Sequence, residues 1–474
     1  MVFNSIQFIV FFIVVTTGYF LSPHKYRWIL LLVASCVFYM AFVPVYILIL
    51  GFTIVIDYFA GIYIAQASGL RRKYLLTISL AANIGILAVF KYFNFISINL
   101  TAVMQTLGWH HALPLLQILL PIGLSFHTFQ AMSYTIEVYR RNQPPERHFG
   151  IYALYVMFYP QLVAGPIERP QNMIHQFYEK HPFNWLQVNE GFKRIIWGFF
   201  KKIVVADRAA QYVNAVYDNS NYHSGVDFAL ATIFFAIQIY CDFAGYADIA
   251  IGCAQVMGFK LMENFRRPYF AKTVSEFWRR WHISLSTWFT DYLYISLGGN
   301  RVKLPRAYLN LMIVFLISGL WHGADWRFMA WGAINGFYLI FAHLFQSYKD
   351  KLHTVSGLQR LGWFYAFLQI ITTVILISFS WIFFRATSIS IAIDIIKKIF
   401  TSWGHLFIQE NIIYVLLGAG ILFLSEFISE YYPHKKLFTR SRYAFVRCFS
   451  YAFIVILIMA LGVFDGGQFI YFQF

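Results

Sequence analysis

The chain alternates between long apolar runs and short polar or basic stretches. The runs are about 17–25 residues long, the length at which a helix crosses a bilayer, whereas a barrel strand needs about 9–11 alternating residues. Lipid also requires each spanning segment to satisfy its own backbone hydrogen bonds, which favours helix. The pattern predicts helices over 5–21, 27–43, 45–67, 74–97, 116–138, 150–166, 226–258, 307–323, 327–346, 363–384, 411–430 and 444–464. The expected fold class is an all-α integral membrane protein, a polytopic bundle of about 11–13 transmembrane helices with further re-entrant or interfacial helices.

The polar stretches set the expected topology. Basic clusters at Lys25 and Arg27, at Arg71, Arg72 and Lys73, and at Arg140, Arg141 and Arg147 alternate with uncharged connections at 42–44 and 99–115. Basic loops face the cytoplasm, so the N-terminus is expected outside. The stretch "FKRIIWGFFKKIVV" (192–205) mixes four basic residues with bulky apolar ones. It reads as a helix along the cytoplasmic interface or as a half-buried crossing. The block 261–282 carries Arg266, Arg267, Lys272, Arg279 and Arg280, and the cluster Arg301, Lys303 and Arg306 follows. Both are cytoplasmic by the same rule, so 283–298 between them cannot cross once. It dips and returns, or lies flat, and a dip implies a covered cavity near His282. The helix from Ala307 then runs outward and carries His322 about 22 Å into a core about 30 Å thick.

Composition agrees with this picture. The 474 residues are 59% hydrophobic and 12% charged, against about 25% charged in a soluble domain. The net charge of +16 sits in short clusters between apolar runs, so it is read as membrane topology and not as a nucleic-acid surface. The first run lacks a basic leader and a small-residue cleavage site, and reads as a retained helix. Cys36, Cys241, Cys253 and Cys448 lie in apolar runs without metal-ligand spacing and read as small buried hydrophobes. No repeat, low-complexity tract or soluble domain is visible, so 1–474 reads as a single polytopic membrane domain.

Asp57, His127, Gln130, Asp242, Asp248, His282, Asp291 and His322 fall in or beside apolar runs, where polar groups face a bundle interior or a water-filled path. Asp57 reads as a structural hydrogen-bond partner and His127 as an interhelical one. Asp242 and Asp248 flank Gly245, which reads as a flexible point, and Asp291 is placed to pair with the arginines around the dip. His282 and His322 each follow a tryptophan, and histidine exchanges protons near neutral pH. Three chemistries fit such a pair. Bis-histidine haem ligation leaves the basic block unexplained. Transport suits broken helices with midplane charges. Acyl transfer needs a base for a hydroxyl and cations for a donor's phosphates. No metal site is expected, since His322 and Asp325 are too few ligands and Asp325 reads as a local cap. Phosphate-loop, Gly-x-Ser-x-Gly and His-Glu-x-x-His motifs are absent from the sequence.

Four ordered blocks carry a resemblance. "LPIGLSFHTFQAMSYTIEVYR" (120–140), "YPQLVAGPIERP" (159–170), "NFRRPYFAKTVSEFWRRWHISLSTWFTDYLYISLGGNR" (264–301) and "GLWHGADWRFMAWGAINGFYL" (319–339) resemble the membrane-bound O-acyltransferase family, in its bacterial alginate O-acetylation branch. The resemblance implies a ring of helices around a thin centre, with the family core at about 116–346. It implies an enzyme of the bacterial inner membrane that moves acetyl groups from cytoplasmic acetyl-CoA toward a cell-surface or exported polysaccharide. An extracytoplasmic acetyl-accepting partner of the SGNH or esterase-like kind goes with that branch, and no tightly bound cofactor does. By the motif match, His322 takes the place of the family's essential histidine and His282 that of its second signature histidine. The chain departs from the family pattern at Thr290, Ser296 and Asn335.

On this reading His322 is the general base for an acceptor hydroxyl. His282 orients the thioester or stabilises developing negative charge, and an acetyl-histidine intermediate is compatible with the same residues. Arg266, Arg267, Lys272, Arg279 and Arg280 meet the donor's phosphates, and Asp242, Asp291 and Trp321 complete the candidate substrate-binding set. Gly319 and Gly323 read as room for a substrate beside His322. The alternatives are D-alanyl transfer to teichoic acid and a non-enzymatic transporter of a cell-surface intermediate.

Overall fold

A computed structural model describes residues 1–109, 111–118, 120–163, 165–346, 348, 361–435, 438–464 and 469–470. Among them the regular structure is helical, with no strand. Seven helices are long and apolar enough to cross a membrane by length and composition: Pro44–Gln66, Gly69–Thr106, Gly225–Val256, Leu304–His322, Trp363–Arg385, Asn411–Tyr431 and Ala444–Leu461. The shorter Ile6–Leu21, His24–Met40 and Leu124–Arg140 and the more polar Trp326–Leu344 add to these. Burial ranks them. The apolar window of Gly225–Val256 is 78% buried and that of Ala444–Leu461 only 6%. A helix that is apolar all round and exposed has lipid as its natural solvent.

Helix ends follow local chemistry. Ser5 caps the first helix by accepting from Phe8 N, and Ser388 caps Ile389–Thr401 by accepting from Ile391 N. That helix buries Ala392 and Ile395, and its apolar stretch is too short to stand out as a span. Two expected spans begin late or break. The one placed at 116–138 starts at Leu124, after Pro114, Pro121 and a left-handed Gly123 (φ 75°). The one at 150–166 breaks at Phe158, which leaves helical geometry ahead of Pro160. Proline lacks the amide donor, so a helix cannot carry its hydrogen bonds back through Pro121 or Pro160. Leu119 and Ala164, inside these two expected spans, lie outside the described residues.

The chain divides into two compact units, Met1–Ile195 with Tyr246–Met262, and Ile196–Gly245 with Glu263–Phe474. The single domain read from the sequence reflects the absence of any linker, because two of the boundaries fall inside the helices Trp185–Phe199 and Gly225–Val256.

In the first unit Asp57 is a structural hub, as expected. It accepts from Ser79 Oγ (2.6 Å) and Asn83 Nδ2 (2.8 Å), and Ser79 also reaches Thr135. Gln130 and Gln161 both donate to the carbonyl of Tyr155. His127 differs from its expected role, since neither ring nitrogen has a hydrogen-bond partner among the described residues. Asp248 pairs with Arg194 at 2.9 Å.

The second unit has one large apolar core that includes Phe235, Tyr269, Phe277, Trp281, Trp331, Trp381 and Phe384. The stretch 192–205 does not behave as an interfacial helix there. Its C-terminal end, Phe200–Ala206, is a π-helical turn that continues into Asp207–Tyr217, and Lys201 and Lys202 are 7% and 1% exposed. Lys202 lies inside because Asp207 (2.8 Å) and Asp242 (2.6 Å) both pair with its Nζ. Gly245 is no hinge. It lies within Gly225–Val256, and a Cβ there would stand 2.8 Å from the carbonyl oxygen of Gly198. The glycine allows close approach of two backbones.

Candidate active site

The site lies within the second unit and is built from a bend and a helix end. The bend is closed by two backbone hydrogen bonds, between residues 14 and 19 positions apart. Arg266 N donates to Arg280 O, and Ile283 N donates to Asn264 O, both at 2.9 Å. Val274–Arg280 lies between, capped by Thr273, which accepts from Glu276 N. At the exit of the bend His282 adopts left-handed geometry (φ 41°, ψ 55°). Such a conformation is uncommon for a residue with a Cβ and costs about 1–3 kcal/mol where it is held. The side chain of Asn264 helps to hold it. Its Oδ1 lies 3.2 Å from His282 Nδ1 and accepts from Ser284 N (3.2 Å) and Ser284 Oγ (2.9 Å).

Beyond His282 the chain forms Ile283–Phe289 and a π-helical turn, Thr290–Tyr294. These twelve residues rise about 18 Å, too little for a hydrocarbon core of about 30 Å. The expectation that 283–298 does not cross once agrees with that length. Left-handed Gly298 and Gly299 then turn the chain toward Leu304–His322. Asn310, buried on that helix, ties the turn down by donating to the carbonyls of Leu297 and Gly299.

His322 is the last residue of Leu304–His322 and is 4% exposed. Its ring is packed among aromatic ones: Trp321 at 4.9 Å between centroids, Trp331 edge-on at 5.0 Å and Phe384 at 5.3 Å. Trp331 stacks on Trp381 behind it. His282, 1% exposed, is packed by Phe243 at 4.5 Å and by Trp321 at 6.1 Å. Trp321 thus contacts both histidines. Two side chains 40 positions apart in sequence share one aromatic wall.

Gly319 and Gly323 do not leave room for a substrate. A Cβ on Gly319 would stand 2.2 Å from the carbonyl oxygen of Phe328, and one on Gly323 would overlap the Phe328 ring at 2.0 Å. Gly332 meets the carbonyl of Phe315 at 2.3 Å in the same way. These glycines bring Leu304–His322 and Trp326–Leu344 together, and the space is filled by protein. Asp325 caps the second of these helices, accepting from Arg327 N at 2.9 Å, as expected. Asn335, one of the departures from the family pattern, is buried and donates to Trp331 O at 2.8 Å.

The basic block separates into two groups. Arg267 and Arg280 both hold Glu430, at 2.6 and 2.9 Å, and Arg280 also holds Glu276 at 2.6 Å. Arg266, Lys272 and Arg279 are exposed. Asp242 is bound to Lys202 and accepts from Ile470 N at 2.7 Å, which sets it into the scaffold behind Phe243. Asp291 is half-buried on the π-helical turn.

Sequence reasoning missed Asn264, Glu430 and Lys202. Asn264 stands in a quoted block, but no spacing rule joins it to His282. Glu430 carried a signal: an acid at the C-terminal end of an apolar helix opposes the helix dipole and calls for a cationic partner.

Residues 146–389 match the model of the MBOAT, membrane-bound O-acyltransferase family. Over 397 residues the chain is 38% identical to the probable alginate O-acetylase AlgI of Azotobacter vinelandii, covering 83% of this chain and 76% of that protein. It is 34% identical over 394 residues to the peptidoglycan O-acetyltransferase of Helicobacter pylori, covering 77% and 72%. A shorter match, 30% over 235 residues, joins it to the teichoic acid D-alanyltransferase of Streptococcus thermophilus, covering 46% and 56%.

Proposed function

The chain belongs to the membrane-bound O-acyltransferase family, in its alginate O-acetylase branch, and from that premise we propose that it moves acetyl groups from cytoplasmic acetyl-CoA across the membrane for O-acetylation of a cell-surface or exported polysaccharide. It is a multi-pass membrane enzyme, an O-acyltransferase. The single observation that carries the mechanism is the meeting of His282 and His322 on Trp321.

His322 acts as general base. It takes the proton of an acceptor hydroxyl as that oxygen attacks the thioester carbonyl. The O–C bond forms, the C–S bond breaks, and the proton passes from the imidazolium to the leaving thiolate. No ATP is needed, because a thioester is already activated. The aromatic packing around His322 keeps competing water away from the ring. Exposed Arg266, Lys272 and Arg279 supply cations for the donor's phosphates. Arg267 and Arg280, neutralised by Glu430 and Glu276, serve to hold the bend. The enzyme acts in the inner membrane, and an SGNH or esterase-like partner on the far side relays the acetyl group to the polysaccharide.

Purified protein in liposomes with radiolabelled acetyl-CoA tests this. The expected result is thioester turnover that depends on an added acceptor. Flux of label without thioester cleavage would point to transport instead. A D-alanyl carrier protein offered as competing donor tests the second reading, D-alanyl transfer, which the shorter match favours. Turnover of that donor in place of acetyl-CoA would decide for it.

A further inference from the structure

Asn264 determines which hydrogen bonds His282 is able to make. The backbone N–H of Ser284 lies 3.2 Å from Asn264 Oδ1. A backbone N–H only donates, so the amide atom it meets is the oxygen, and the orientation of the amide is settled. The same oxygen lies 3.2 Å from His282 Nδ1. An amide oxygen only accepts, so in the neutral ring Nδ1 carries the proton and Nε2 carries the lone pair. Both side chains are 1% exposed, so bulk water does not compete for the contact. Asn264 also receives Ile283 N on its main-chain oxygen, directly after the left-handed residue. One residue therefore fixes both the backbone turn and the ring.

We propose that Asn264 is a positioning residue that presents Nε2 of His282 as a hydrogen-bond acceptor, so that His282 receives an O–H or N–H of a substrate. In this tautomer Nε2 has no hydrogen to offer a carbonyl oxygen. That reverses the role of stabilising developing negative charge expected from the sequence, and leaves that task to other donors. The substrate side of the inference rests on the acyltransferase reading, whereas the tautomer does not.

Full-length protein labelled with ¹⁵N-histidine, purified in detergent, provides the test, with a His282→Gln sample subtracted to assign the ring. In the wild type the His282 signals are expected to be those of a protonated Nδ1 and an unprotonated Nε2. Asn264→Asp keeps an acceptor at the same place and retains that signature. Asn264→Leu removes it, and a protonated Nε2 appears. In activity, Asn264→Leu loses about tenfold to a hundredfold in kcat, by analogy with the loss of partners that orient metal-binding histidines, while Asn264→Asp recovers most of it. A protonated Nε2 in the wild type overturns the proposal, and so does an unchanged signature in Asn264→Leu. If Asn264→Leu fails to fold, the wild-type and Asn264→Asp spectra still decide. Wild-type protein that shows the expected tautomer but no acetyl turnover would defeat the acyltransferase reading alone.

Discussion

His282 and His322 share Trp321 as a neighbour, yet they stand on different backbones and among different contacts. His322 ends a regular helix and is positioned by packing: Trp321, Trp331 and Phe384 surround its ring, and Gly319 and Gly332 bring in the helix that carries Trp331. His282 sits on a left-handed turn and is positioned by polar contacts from Asn264. A ring held by a hydrogen bond to one nitrogen has its tautomer chosen by that bond. The two histidines are therefore expected to respond differently to the same kinds of substitution.

The largest effect should follow from His322→Ala. Loss of a general base typically costs about 10²–10⁴-fold in rate, and the protein should still insert and elute as wild type. Polysaccharide acetylation at normal levels in cells carrying this variant would remove His322 from the chemistry. His282→Ala should come next, with a loss of about 10²-fold and normal insertion. Wild-type turnover would place His282 outside the site.

Gly319→Ala tests positioning by packing. A Cβ 2.2 Å from a backbone carbonyl has nowhere to go, so the helix pair must shift, at a cost of about 1–3 kcal/mol. A lower melting temperature and reduced kcat are expected, against little change for Gly420→Ala, where nothing lies within 4 Å of the added Cβ. Equal behaviour of the two variants would mean that helix packing does not set His322. The smallest effect belongs to the exposed cations. Changing Arg266, Lys272 and Arg279 together to Gln should raise KM for acetyl-CoA about tenfold, leave kcat alone and flatten the salt dependence of KM. A fall in kcat with constant KM would show that these residues serve the bend and not the donor.

The histidines were legible for different reasons. His322 stands at the end of an apolar run in a block whose wording carries the family, and its helix ends where the pattern predicted to within a residue. His282 was legible through charge: two basic clusters, read as lying on one side of the membrane, imply that 283–298 turns back, and its helical part is short for a crossing. The partners were not legible. Asn264 lies 18 positions from His282, and Glu430 lies more than 140 positions from both arginines it holds. Hydrogen bonds and ion pairs between distant segments leave no periodic trace. The glycines misled in a consistent way. Gly245, Gly319 and Gly323 read as flexibility or free space, but each marks a place where protein packs against the missing side chain.

The sequence by itself determined that this chain is helical, lies in a membrane and belongs to its family, because apolar run length and ordered motifs are local properties of the chain. Tertiary structure alone decided how the ionisable groups are used. It buried Lys202 between two aspartates, divided five cations into a clasped pair and an exposed trio, and set His282 against an amide oxygen. The physical reason is that a charge or a tautomer is governed by whatever lies within about 3 Å of it, and in a helical membrane protein that neighbour usually comes from a different segment of the chain.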